Sequence, residues 1–294
     1  MQAIHLERPT NLFVEVGDRE MPQNRMRHAD SPPCYHGSGR RCTCAGGLPT
    51  AFDGDRVGPQ VMRTMSAGGL EFTRELQRTI DAKRTFGRHP LWMAIQAGTL
   101  PRPSLQTWAV QFFLQVREFP RAVSALHTSC PFTDERVTLA ESLYEEETGH
   151  LSGCNVSHPE LFIRFGAGLG LSREALVDAQ PFAGTAALID WFVNATREQS
   201  FLEGAAAINL AAEGQVPGAF APFARALERH YGLTHEQVAF WDIHEQADRD
   251  HSDIGDHIVL RHATTPEWRE KIRRSLSRSL DLWWEFFDDI ERHL

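Results

Sequence analysis

The chain has 294 residues, 41% hydrophobic and 23% charged, so it can fill a core and is not disordered throughout. Its formal net charge of -9 argues against sequence-blind nucleic-acid binding, which needs a basic surface. No run approaches the ~18 apolar residues of a membrane helix. The opening MQAIHLERPTNLF lacks the charged-then-apolar order of a signal peptide. The expectation is a soluble, cytoplasmic protein without membrane or nucleic-acid partners.

The first 60 residues hold 7 Gly and 6 Pro, and their 7 Arg balance 7 acidic residues, so the negative excess lies downstream. The run DSPPCYHGSGRRCTCAGGLP has neither helical nor strand periodicity. Residues 1–65 read as an irregular or partly disordered extension, and 66–294 as the helical domain. Within the extension, Cys34, His36, Cys42 and Cys44 could form a zinc cluster, but their spacing is not a strong zinc pattern, and a reduced segment is the simpler reading. The five cysteines are odd in number and irregularly spaced, so no disulfide framework is expected.

From about residue 68 the pattern is helical. LEFTRELQRTIDAKRTF and HPLWMAIQAG are short amphipathic pieces. Ser104 starts a long helix interrupted by Pro120. DERVTLAESLYEEETGH ends at Gly149, and HPELFIRFGAGLGL ends in glycines. TAALIDWFVNATREQSFLEGAAAINLAAEG reads as one helix stopping before Pro217. Thr234 opens the next helix, with Gln237 placed for a capping box, and Thr265-Pro266 opens the last. No period-2 run bounded by hairpin turns appears. The fold class is an all-α bundle of seven or eight helices.

The strongest chemical signal is His244-Glu-Gln-Ala-Asp248-Arg-Asp-His251. At about 100° per residue, His244, Asp248 and His251 fall near 0°, 40° and 340°, one stripe of two imidazoles and a carboxylate suited to iron, manganese or zinc. A solvated polar face is the competing reading. Asp250, Asp253 and His257 occupy the opposite side, and two polar stripes facing opposite ways suggest that one points inward. Buried carboxylates elsewhere would complete a dimetal site. Of Glu145, Glu146 and Glu147 at most two can face inward. His150 and His158 follow. Glu213 ends an unusually apolar helix and Glu118 interrupts another; for each, a buried ion pair to Arg is the alternative.

Residues 70 to about 260 resemble the heme-oxygenase-like diiron oxidases, the superfamily that also holds TenA-type thiaminases and pyrroloquinoline quinone synthase. HPLWMAIQAGTLPRPSLQTWAVQFFLQVREFPR, the EEETG…HPELFIRFGAGLGL segment, AAEGQVPGAFAPFARALERHYGL and FWDIHEQADRDHS carry the resemblance. It implies a heme-oxygenase-like bundle, two Fe(II) ions, O2 as co-substrate, an external electron donor and a homodimer. The implied iron ligands are Glu146, His158, Glu213, His244, Asp248 and His251. Glu147 stands beside Glu146, and His150 competes with His158, because HLSGCNVSH makes the loop longer than the family's. Glu118 resembles an extra carboxylate of amine N-oxygenating members. The implied activity is oxidation of a small amine or amino-acid-like substrate, by N-oxygenation or oxidative C–C cleavage, in specialised metabolism. Members that form aminobenzoate consume their own tyrosine and lysine. With Tyr35, Tyr144, Tyr231, Lys83 and Lys271 its full complement, this chain is not expected to do so. The rival readings are a cofactorless enzyme of the thiaminase or quinone-synthase kind and a helical binding protein.

Overall fold

The structure, a computed structural model, describes residues 67–294, excluding the side chains of residues 246–253. The extension 1–65 and its cysteines therefore lie outside the described residues. In chain order the helices are α1 (Ala67–Lys83), α2 (Pro90–Gln96), α3 (Arg102–Ser129), α4 (Thr133–Thr148), α5 (His158–Gly168), α6 (Arg173–Val177), α7 (Ala183–Arg197), α8 (Phe201–Ala205), α9 (Phe220–Tyr231), α10 (His235–His262) and α11 (Pro266–Glu291). A π-helical turn, Ala206–Leu210, and a 3-10 turn, Glu213–Gln215, join α8 to α9. Eight helices have eleven residues or more, matching the expected bundle, and no strand occurs among the described residues.

The boundaries follow local chemistry. The Thr234 hydroxyl accepts from Gln237 N while the Gln237 side chain accepts from Thr234 N, the expected capping box of α10. Pro266 begins α11 behind Thr265, whose hydroxyl caps Trp268 N. Gly149 ends α4 at φ 62°, where a Cβ would sit 2.2 Å from Cys154 Sγ and 2.3 Å from the Val156 carbonyl oxygen. That turn requires glycine, and it sends the chain back to α5.

Two expectations are corrected. Pro120 does not interrupt α3, which runs unbroken through it. The lost hydrogen bond is offset by burial on both sides: Phe112, Phe113 and Val116 before it, Ala122, Val123 and Leu126 after. Residues 185–214 are not one helix. Ser200 and Glu203 form a second capping box that starts α8 afresh, and α8 then widens into the π-turn.

Helix α3 packs on α4, α5 and α7, while α10 packs on α5 and α9, and α11 on α1 and α7. The core between them is aromatic. Trp241 stacks on Trp108 at 5.8 Å between ring centroids, Trp92 on Phe223 at 4.0 Å, and Phe112 on Phe162 at 5.6 Å. Burying each such ring contributes about 1.5–3 kcal/mol. A smaller core joins Phe72, Leu76 and Ile80 of α1 to Leu276 and Leu280 of α11. No helix among the described residues is long and apolar enough to cross a membrane.

Candidate metal centre

Helix α4 delivers carboxylates in its last turn, and the Gly149 turn brings His158 back to them at the start of α5. The His158 ring lies between two glutamates, with Nδ1 3.1 Å from Glu146 Oε2 and Nε2 3.4 Å from Glu145 Oε1. All three side chains are buried. The second oxygen of Glu145 accepts from Leu151 N at 2.7 Å and Ser152 N at 3.2 Å, which ties the loop to the same carboxylate.

This environment sets the protonation of the metal-free site. Burial would lower the His158 pKa, but the facing charge of Glu146 and the bonds to Glu145 and Glu146 outweigh it and push it up to about 10. Burial would raise Glu145, but its bonds from His158, Ser152 and Leu151 win and hold its carboxyl at about 2. The pair is an imidazolium clamped by carboxylates.

Helix α10 supplies His244 from the other side, its ring centroid 4.4 Å from that of His158. Nδ1 of His244 lies 2.7 Å from the Phe240 carbonyl oxygen. Nδ1–H therefore donates to that carbonyl and Nε2 is left as the metal-binding nitrogen, the usual way a protein fixes a ligand tautomer. One donor atom each from Glu146, His158 and His244 lies within 4.8 Å of the others. Donors bound to one ion at about 2.1 Å are at most about 4.2 Å apart, so small side-chain adjustments close the set. Buried carboxylate and imidazole donors of this kind fit iron.

Glu213 arrives from the 3-10 turn after the π-turn, buried, with Oε2 accepting from Asn209 Nδ2 at 2.8 Å. Glu146, Glu213 and His244 line one cavity of about 50 Å³, whose remaining wall is mostly apolar and includes Phe86, Phe112 and Phe220. Four residues expected as ligands, Glu146, His158, Glu213 and His244, thus converge. Asp248 and His251 lie within α10, but their side chains fall outside the described residues. His257, expected on the solvated side of α10, is exposed.

The alternatives separate cleanly. Glu147 lines a different, open groove on the surface, and His150 is exposed, with Nδ1 2.6 Å from the Tyr144 hydroxyl. Glu118 is not brought to the cavity. Its carboxylate takes Arg117 Nε at 3.1 Å and Arg121 Nη1 at 3.1 Å, so the ion-pair alternative describes it. One turn earlier, Gln115 is the polar residue that α3 presents to the cavity.

The sequence reading missed two supporting carboxylates. Glu145 was legible only as one of three consecutive glutamates. Glu245 is buried beside His244 and accepts from the backbone N–H groups of Gly218, Phe220 and Ala221, at 2.8, 3.1 and 3.2 Å. It fixes α10 to the N-terminus of α9, where unpaired N–H groups and the helix dipole favour an anion. Its position in an apolar helix start, next to a candidate ligand, was the available signal.

Residues 106–284 match the family model described as iron-containing redox enzyme. The chain is 28% identical over 232 residues to a 4-aminobenzoate synthase of Nitrosomonas europaea, covering 76% of this chain and 92% of that one. It is 26% identical over 220 residues to a pyrroloquinoline-quinone synthase of Gluconobacter oxydans, covering 73% and 88%. Among solved structures, a TenA homologue from Pseudomonas syringae matches with a TM-score of 0.65 at 16% identity, covering 80% of this chain and 97% of that one, a likeness of fold. With that fold and with buried carboxylates and imidazoles that fit iron, the chain belongs to the iron-containing redox enzyme family and is an oxidoreductase of heme-oxygenase-like fold.

Proposed function

We propose that the protein is a non-heme diiron oxidase that uses O2 to oxidise a small amine or amino-acid-like substrate, by N-oxygenation or oxidative C–C cleavage. The observation that carries this reading is the convergence of Glu146, Glu213 and His244 on one mostly apolar cavity, with His158 beside them. Asp248 and His251, four and seven residues after His244, complete the proposed ligand set. When bound, two ferrous ions supply two electrons to O2, and an external donor returns them.

The chain's own residues do the rest. Glu145 orients His158 and, in the metal-free site, holds its proton. Asn209 fixes the Glu213 carboxylate, and the Phe240 carbonyl fixes the His244 tautomer. The phenylalanine wall excludes water from the reacting centre. The substrate comes from outside. Among the described residues Tyr144 is exposed against His150, the Tyr231 hydroxyl donates to the Leu100 carbonyl, Lys83 pairs with Asp281, and Lys271 lies over the Trp268 ring. None of the four lines the cavity. A cytoplasmic homodimer belongs to the same proposal.

The test is anaerobic titration of the metal-free protein with ferrous iron, then stopped-flow mixing with O2. Two irons per chain and a transient absorbance, both lost in His244→Ala and Glu213→Ala, are expected. Iron uptake indifferent to both substitutions refutes the site, and full activity without metal moves the protein to the cofactorless branch.

A further inference from the structure

The cavity holds two polar side chains that the proposed ligand set does not use. Gln115 is 5% exposed, and its amide has no hydrogen-bond partner among the described residues. Trp283 is 2% exposed, also lines the cavity, and its indole N–H has no partner. A buried indole N–H left unpaired costs about 1–3 kcal/mol, so a ligand that meets it recovers that cost, while the Gln115 amide lines the cavity with no bond to the fold. The Trp283 ring packs in the aromatic core against Phe86 and Phe112, but its N–H takes no part in that packing. Gln111, one turn before Gln115, is fully used: it accepts from Phe182 N and the Thr185 hydroxyl and donates to the Gln180 carbonyl. The contrast on one helix separates a structural glutamine from one whose amide is left for something else.

The charge of the lining narrows the ligand. Among the described residues no Lys or Arg lines this cavity, so none of them offsets a substrate carboxylate. Among the described residues the carboxylates that could offset a cation are Glu146 and Glu213, both proposed iron ligands. The other lining side chains, Phe86, Phe112, Val116 and Phe220 among them, are apolar and desolvate any ion that enters.

From this wall we infer that Gln115, assisted by Trp283, positions the substrate by its polar head in uncharged form. The ligand class is a compact, mainly apolar molecule whose amine enters as the free base or whose oxygen is an alcohol or amide. The Gln115 carbonyl accepts the head group's N–H or O–H, and the amide NH2 or the indole N–H donates to its lone pair. For an amine, a free-base nitrogen is also what N-oxygenation requires, because an ammonium has no lone pair to attack. Gln115 is thus a positioning residue, and the inference rests on the proposed reading of the cavity as the place of reaction.

The experiment is an NMR titration of the metal-free and the iron-loaded protein, under anaerobic conditions, with propan-1-ol, propylammonium and propionate. Each probe is matched to the small cavity. Propan-1-ol is expected to bind at least tenfold tighter than either ion in both forms. Gln115→Leu should weaken propan-1-ol about tenfold, the loss of one hydrogen bond to a neutral group. Trp283→Phe should weaken it less, and iron stoichiometry should stay unchanged in both variants. Propionate binding tighter than propan-1-ol overturns the inference, as does unchanged propan-1-ol affinity in Gln115→Leu. If the alcohol preference and its Gln115 dependence hold while iron fails to bind, the cavity inference stands and the diiron reading falls.

Discussion

Glu245 offers a direct test of how the site is held. It is 6% exposed, on α10 beside His244, and its carboxylate gathers three backbone N–H groups at the start of α9. Phe220 and Ala221 are the first residues of α9, so their N–H groups have no partner within that helix. Each hydrogen bond to a charged acceptor is worth about 1.5–3 kcal/mol, but the sum is reduced because removing the carboxylate also removes its desolvation cost. Water also reaches the part-buried Gly218 and Ala221 donors. Glu245→Ala should therefore cost about 3 kcal/mol, and Glu245→Gln, which keeps the shape and one acceptor oxygen, about half of that. For a unit of this size the alanine variant should melt roughly 6–12 °C lower. Urea unfolding of the metal-free protein measures the stability, and ferrous titration reports whether His244 has moved. A glutamine variant as stable as the wild type would refute the claim that the charge holds α9. Lost stability with unchanged iron affinity would show that the anchor does not reach the ligand.

Two further outcomes follow from the packing and the charges. A Cβ on Gly255 of α10 would meet Leu210 Cδ2 at 2.8 Å, Asn209 Cβ at 3.1 Å and the Asn209 backbone at 3.2 Å, so Gly255→Ala should push α10 off the π-turn. Overpacking costs about 1–3 kcal/mol against about 1 kcal/mol gained in helix propensity, so the net loss is about 1 kcal/mol with weaker iron binding. Gly68→Ala, whose nearest contact is 3.7 Å away, is the control and should gain stability. The His158 pKa is raised from 6.5 to about 10 in the folded state. Its contribution is complete below pH 6.5 and is lost as pH rises through about 10, so metal-free stability should fall across that window. His158→Gln should abolish the alkaline slope, and it should cost about 3–5 kcal/mol at neutral pH by leaving Glu145 and Glu146 without their cation. An unchanged slope in urea melts at pH 7 and 9.5 would disprove the imidazolium assignment.

The long helices were legible because their apolar periodicity and caps act locally. Thr234 with Gln237, Thr265 with Pro266, and Gly149 each fix a boundary through atoms a few residues apart. The break after Arg197 was signalled by Ser200 and Glu203, but the apolar run on both sides masked it. The π-turn had no local signal: it is stabilised where α10 crosses it at Gly255, 45 residues beyond Leu210 in sequence. The same limit governs the site. Glu146 and His158 could be chosen from a short segment, whereas Glu118 and Gln115 differ only in which side of α3 faces inward, which is decided by tertiary packing. Arg117 and Arg121 then claim Glu118, an adjacent and an i,i+3 pairing that the sequence permits without requiring.

The buried charges themselves argue for a cation at this place. Glu145, Glu146 and Glu213 are each no more than 4% exposed, and among the described residues no Lys or Arg lines the cavity that Glu146 and Glu213 share. Elsewhere in this chain the carboxylates of Glu118 and Glu75 are paired with arginine. Glu145 and Glu146 instead face the proton on His158, a group that must be neutral to bind a metal. The metal-free site is therefore held together by a charge that iron would replace rather than add to. Iron binding then displaces that proton and takes over the neutralisation of the carboxylates, so loading and folding stability are coupled through the same three side chains, Glu145, Glu146 and His158.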